Sequence, residues 1–225
     1  MQILSGDLVS NGDFSQEGSE QITNGDFATD SDWTLTQATI SGGYLNISTT
    51  DGSFSGARQF NVFTVGKIYL VSLEISNIVG TVEVDINGGG NYGQAFTTNG
   101  SKSFYLKAED TDIDVKRAFG AEQVISATID NVSVKEVGQD WTLGTGWSIG
   151  DSKAIFDGTQ SYIQQNNLGA SGVNAIYKVK WTQNITAGTR LRFFARNYND
   201  SGNETILSGS TTGEGSFGLN GNCVG

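Results

Sequence analysis

Alternation of apolar and polar residues with period two is the dominant pattern along the chain, as in Tyr69-Leu70-Val71-Ser72-Leu73-Glu74-Ile75 and Thr81-Val82-Glu83-Val84-Asp85-Ile86. Successive side chains of a strand point to opposite faces, so this pattern predicts half-buried β-strands rather than helices. Glycine- and asparagine-rich breaks such as Asn87-Gly88-Gly89-Gly90-Asn91 and Thr98-Asn99-Gly100-Ser101 interrupt the runs at the spacing of a sandwich or barrel. With no proline anywhere, bulges, glycines and charges must guard the strand edges. The fold class expected is all-β and antiparallel.

An internal repeat divides the chain. Asp32-Trp33-Thr34-Leu35 returns as Asp140-Trp141-Thr142-Leu143, and Ile68-Tyr69-x-Val71 returns as Ile176-Tyr177-x-Val179 in the same register. Asn77-Ile78-Val79-Gly80 returns as Asn184-Ile185-Thr186-Ala187-Gly188 with one insertion. Repeats of this kind predict one supersecondary plan used twice. The boundaries expected are an N-terminal segment over 1–20, a first β-sandwich over 21–137 and a second over 138–225. A shorter echo lies in front, where Asn11-Gly12-Asp13-Phe14 anticipates Asn24-Gly25-Asp26-Phe27. The first module closes on Ile129-Asp130-Asn131-Val132-Ser133-Val134, and no second copy of that strand follows. The second sandwich is therefore expected to be incomplete, with residues 176–217 covered by further chain or by an adjacent subunit.

The Asn-Gly-Asp-Phe opening, early Trp, central Tyr-x-Val strand and closing Ile-Asp-Asn-Val-Ser strand resemble the carbohydrate-binding-module type of jelly-roll β-sandwich, in the versions that recur in tail-fibre and other structural proteins of bacteriophages. The resemblance implies two tandem antiparallel jelly-roll-like sandwiches. It also implies a structural Ca²⁺ joining the opening motif to the last strand, for which Asp26 and Asp130 match the carboxylate positions and Asn24 a carbonyl donor. Ala28 stands where the family often has Glu, which removes one ligand from that set.

Composition narrows the function. A chain without histidine has no Ser-His-Asp triad, Cys-His dyad or His-bearing metal site. Paired carboxylates remain open to glycoside hydrolysis, but alternation sets Glu74, Glu83, Asp85 and Asp114 on the face away from the core, where a solvated role is expected. No enzymatic activity is expected. A net charge of −11 repels the phosphate backbone of nucleic acid and anionic lipid alike, and no apolar run is long enough to span a bilayer. The single Cys223 makes no intrachain disulfide, and the N-terminus carries no secretory pattern. A virion protein, assembled in the host cytoplasm and released by lysis, reconciles an extracellular-looking composition with that N-terminus.

Sugar recognition calls for exposed rings flanked by hydroxyl-binding groups. Trp33, Trp141, Trp147 and Trp181 read as packed. The loop residues Tyr92 and Tyr198, with Arg196 beside the latter, are the expected glycan contacts. The function expected is a head- or tail-fibre component, an oligomer guessed to be trimeric, which contacts other virion proteins and displays its modules to a cell-surface glycan. The rival reading is the carbohydrate-binding portion of a polysaccharide-degrading enzyme.

Overall fold

The computed structural model describes residues 7–86, 93–120, 124–159, 161–166, 176–184, 191–195, 203–207 and 211–218, without the side chains of 176–179 and of 191 onward. The chain divides into two compact units. The larger comprises Asp13–Gln139 and Ser148–Ala154; the smaller comprises Met1–Gly12, Asp140–Trp147 and Ile155–Gly225. The expected segment 1–20 is thus split between them.

The larger unit is an antiparallel β-sandwich. Its strands are β1 (Glu17–Glu20), β2 (Thr34–Thr36), β3 (Ala38–Ser41), β4 (Tyr44–Thr49), β5 (Gly56–Gln59), β6 (Ile68–Val79), β7 (Val82–Ile86), β8 (Gln94–Phe96), β9 (Gly100–Lys107), β10 (Ile113–Arg117) and β11 (Ile125–Val137). One sheet runs β3-β4-β11-β6-β9 with β1 added against β11, and the other runs β2-β5-β10-β7-β8. The path crosses between sheets at nearly every connection from β4 to β11, which is a jelly-roll-like winding. Alternation does the rest. Leu45, Ile47, Val71, Leu73, Ile75, Ile129 and Val134 of one sheet meet Ala57, Val82, Val84, Ile86, Ile113 and Val115 of the other in a continuous core. Two aromatic pairs, Phe27 with Trp33 and Phe63 with Tyr69, pack into this core.

The opening motif is a clasp. Asn24 and Phe27 adopt positive φ, the Asp26 carboxylate accepts the Ala28 N–H, and the Trp33 indole N–H donates to the Asn24 carbonyl at 3.1 Å. Gly25 then lies flat against the closing strand, its carbonyl accepting the Val132 N–H at 2.9 Å. That strand is bulged between Asp130 and Ser133, where Asn131 has φ of 51°.

The remaining strands repeat part of the same plan. They are β12 (Thr142–Leu143), β13 (Trp147–Gly150), β14 (Lys153–Phe156), β15 (Ile163–Gln164), β16 (Ile176–Gln183), β17 (Leu191–Ala195), β18 (Asn203–Leu207) and β19 (Thr211–Gly218); the stretch 148–154, which carries most of β13 and the start of β14, belongs to the larger unit, and the other strands to the smaller. The pairs β12·β15, β13·β14, β17·β18 and β16·β19 correspond to β2·β5, β3·β4, β7·β8 and β6·β9. Register is kept as well: Ile68↔Lys107 through Ile75↔Gly100 is matched by Ile176↔Gly218 through Gln183↔Thr211. Counterparts of β10 and β11 do not occur among the described residues.

The early echo now has a partner. The Trp141 indole N–H donates to the Asn11 carbonyl at 3.0 Å, as Trp33 does to Asn24, and Asp140 repeats the positive φ of Asp32. Asn11 and Phe14 share the positive φ of Asn24 and Phe27, and the Asp13 carboxylate accepts the Ser15 N–H as Asp26 accepts that of Ala28. The Ser15 side chain, together with that N–H, holds the Asp13 carboxyl below its ordinary range. Asn11 and Gly12 therefore belong with Trp141 in the smaller unit, and in sequence the larger unit, which takes up Asp13 and Phe14, is inserted between them. Insertion requires neighbouring ends, and β1 supplies them by pairing with the end of β11 at Glu17↔Val137.

Candidate functional site

The outer face of the five-stranded sheet carries a row of paired charged side chains. With Ala57, Val84, Ile86, Ile113 and Val115 turned inward, the intervening Arg58, Glu83, Asp85, Asp114 and Lys116 share the opposite face. The placement away from the core agrees with the alternation, but the expected solvation does not hold for Asp85 and Asp114. Asp114 is 0%, Asp85 2% and Lys116 5% exposed. Register explains how burial is tolerated: Asp114 sits opposite both Arg58 and Asp85, and Lys116 sits opposite Glu83. Arg58 grips both oxygens of Asp114 at 2.7 Å, which raises the guanidinium above its usual range. Lys116 Nζ lies 2.9 Å from Asp85 and 3.9 Å from Glu83. Buried charges persist only when paired and hydrogen-bonded in this way.

This arrangement opposes hydrolytic chemistry on the face. A glycosidase needs one carboxyl to protonate the leaving oxygen and another free to attack or to activate water. Here Asp114 is held on both oxygens by a guanidinium, and Asp85 by an ammonium and the Ile86 N–H at 2.7 Å. Glu74 stays solvent-exposed, on the other sheet opposite Asp130.

The face opens at its two ends, and aromatic rings stand at both. Past the end of β5, Phe60 is 53% exposed with the Arg58 guanidinium 6.0 Å from its ring centroid. Exposed Thr34 lies across from Arg58 on β2, and the nearby Asp112 carboxylate accepts the Asn61 N–H. At the opposite end Phe119 is 95% exposed, its N–H donating to Glu83, and Phe54 is half-exposed on the turn that Arg117 ties down through the Gly52 and Ser53 carbonyls. Sequence reasoning missed all three rings. Phe60 carried a usable signal, since it continues the parity of Arg58 outward from the core.

No protein-family model and no curated protein matches the chain. Among solved structures it is similar to a carbohydrate-binding module described as "CBM4 structure and function", at 17% identity over 57% of this chain and 99% of that one, with a TM-score of 0.33. It is also similar to the CBM22-1 xylan-binding domain of Paenibacillus barcinonensis Xyn10C, at 11% identity, 54% and 97% coverage and a TM-score of 0.36. The CBM22-1-CBM22-2 tandem domain of the same protein aligns at 10% identity over 91% of this chain and 85% of that one, with a TM-score of 0.34.

Of the residues singled out for sugar, Tyr92, Tyr198 and Arg196 lie outside the described residues. Of those singled out for calcium, all three are described. The Asn24 side chain is spent on the loop it closes, donating to the Thr29 and Ser31 carbonyls and accepting the Thr29 N–H. Asp26 accepts from Ala28, and Asp130 accepts from the backbone and side chain of Asn131. Among the described residues no three of His, Cys, Asp and Glu gather as ligands, and the junction of opening motif and last strand is made by the Gly25–Val132 hydrogen bond. The tryptophans divide. Trp33 is buried, whereas Trp141, Trp147 and Trp181 are half-buried, Trp147 stacking on Phe156 at 4.8 Å.

Proposed function

We propose that this protein is a non-enzymatic, glycan-binding component of a bacteriophage head or tail fibre, and that its larger sandwich binds sugar at the Phe60 end of the five-stranded sheet. The observation that carries the site is the half-exposed Phe60 ring beside a guanidinium fixed in place by Asp114. A pyranose lays its C–H face on such a ring, and its hydroxyls find donors and acceptors in Arg58, Thr34 and Asp112. Because Arg58 is already held, little side-chain entropy is lost on binding. The charge of −11 favours neutral sugars over polyanionic ones. Single sites of this kind are weak, and a trimeric fibre would multiply them by raising the effective concentration of the second and third contacts. The virion setting rests on the sequence resemblance.

Titration calorimetry against a panel of neutral polysaccharides tests the site. Phe60→Ala is expected to weaken binding at least about tenfold, the loss of roughly 1.4 kcal/mol of stacking, while Phe119→Ala leaves the affinity unchanged. Equal affinity of Phe60→Ala and the parent protein would remove Phe60 from the site. Antibody labelling of virions in the electron microscope tests the setting; absence of label, with sugar-utilisation genes beside the coding sequence, would favour the polysaccharide-degrading enzyme instead.

A further inference from the structure

Lys116, Asp85 and Glu83 take no part in that site, and their arrangement suits a different chemistry. We propose that Lys116 and Asp85 condense after folding into an intramolecular isopeptide bond, with Glu83 as the proton carrier. Three observations converge. The Lys116 and Asp85 side chains are both buried, with Nζ and Oδ2 at 2.9 Å, so amine and carboxyl are held against each other with water excluded. Glu83, directly opposite Lys116 in the register and also largely buried, places an oxygen 3.9 Å from the same Nζ. The remaining oxygen of Asp85, Oδ1, accepts the Ile86 N–H at 2.7 Å, a donor already aimed at the atom that gains charge when Cγ is attacked. The one other buried carboxylate in the row, Asp114, is taken up on both oxygens by Arg58 and does not compete for the lysine.

The step balances within these residues. Glu83 takes a proton from the Lys116 ammonium and delivers it to Asp85 Oδ2. The freed amine lone pair attacks Asp85 Cγ, and Oδ1 carries the developing charge against the Ile86 N–H. Glu83 then moves a second proton from the attacking nitrogen to Oδ2, the Cγ–Oδ2 bond breaks and water departs. The product is an amide between Nζ and Cγ, with Glu83 returned to its starting state. Proximity and a dry site supply the rate, and loss of two buried charges supplies driving force. The bond ties β7 to β10 across 31 residues of sequence, in a chain whose single cysteine makes no intrachain disulfide.

Intact-mass measurement of the folded full-length chain, followed by tryptic mapping, decides the matter. The wild-type protein is expected to be lighter than its sequence by one water and to yield a branched peptide joining Lys116 to Asp85. Lys116→Arg and Glu83→Gln, shown to be folded by circular dichroism, are expected to keep the full mass. Asp85→Asn is expected to react with loss of ammonia in place of water, which a merely structural ion pair would not do. A wild-type mass equal to that of the sequence overturns the proposal. So does a loss of water without the branched peptide, since a cyclic imide at Asp85 would give the same mass and leave Lys116 open to trypsin. Cross-linking that survives Glu83→Gln would overturn the role given to Glu83.

Discussion

Replacing Arg58 by alanine is expected to destabilise the larger sandwich by about 3 kcal/mol, because it strands the fully buried Asp114 without its partner. Loss of a buried partner costs roughly 3–5 kcal/mol in general, and the lower end applies here because the Arg58 side chain is 30% exposed and its removal admits water. A control separates pairing from packing. The double replacement Arg58→Met with Asp114→Leu removes both charges, and replacing a buried pair by apolar groups is near neutral or stabilising. It should therefore recover most of the loss in urea unfolding. A double variant as unstable as Arg58→Ala would mean that side-chain volume, not charge pairing, holds this face together. The same Arg58→Ala change also frees the guanidinium side of Phe60, so it should weaken sugar binding under conditions where the fold survives.

What the sequence showed plainly was whatever depends on local parity. Alternation in Val82-Glu83-Val84-Asp85-Ile86 sets two carboxylates off the core, and the structure agrees. It could not say whether that outer face is wet, because burial of Asp85 and Asp114 depends on β5 and β10 bringing Arg58 and Lys116 alongside from distant sequence. The repeat was legible for the same local reason, since identical tetrapeptides fold alike, and its strand registers coincide. The function of the early echo was not. Asn11 lies 130 residues from Trp141, and nothing within its own neighbourhood distinguishes a lone segment from the opening of a unit that resumes after an insertion. Phe119 carried no local signal either, since exposure is decided by what other segments leave uncovered.

The two copies of the Asn-Gly clasp should respond very differently to one added methyl group, and the difference exposes what each glycine touches. At Gly25 a Cβ would come within 2.0 Å of the Val132 carbonyl oxygen and 3.0 Å of Ile22, so either the closing strand or the opening motif must move. Neither is free to do so. The carbonyl belongs to β11, the strand flanked by β4 and β6 in the larger sheet, and the motif is pinned by the Trp33 indole and the Val132 N–H. Gly25→Ala is therefore expected to cost about 3 kcal/mol or more, in the range of overpacking against backbone. At Gly12 the only neighbour of an added Cβ among the described residues is a Val9 methyl at 3.3 Å, the movable end of a side chain. Gly12→Ala should cost less than about 1 kcal/mol. Thermal unfolding of the two variants side by side gives the comparison, and amide exchange gives its location. In Gly25→Ala the Val132 amide and the Trp33 indole should lose protection together, because both bonds close the same loop. Equal stability of the two variants would mean that Gly25 does not press on the closing strand, and that the larger sandwich is held shut at its opening motif by the Phe27–Trp33 ring contact instead.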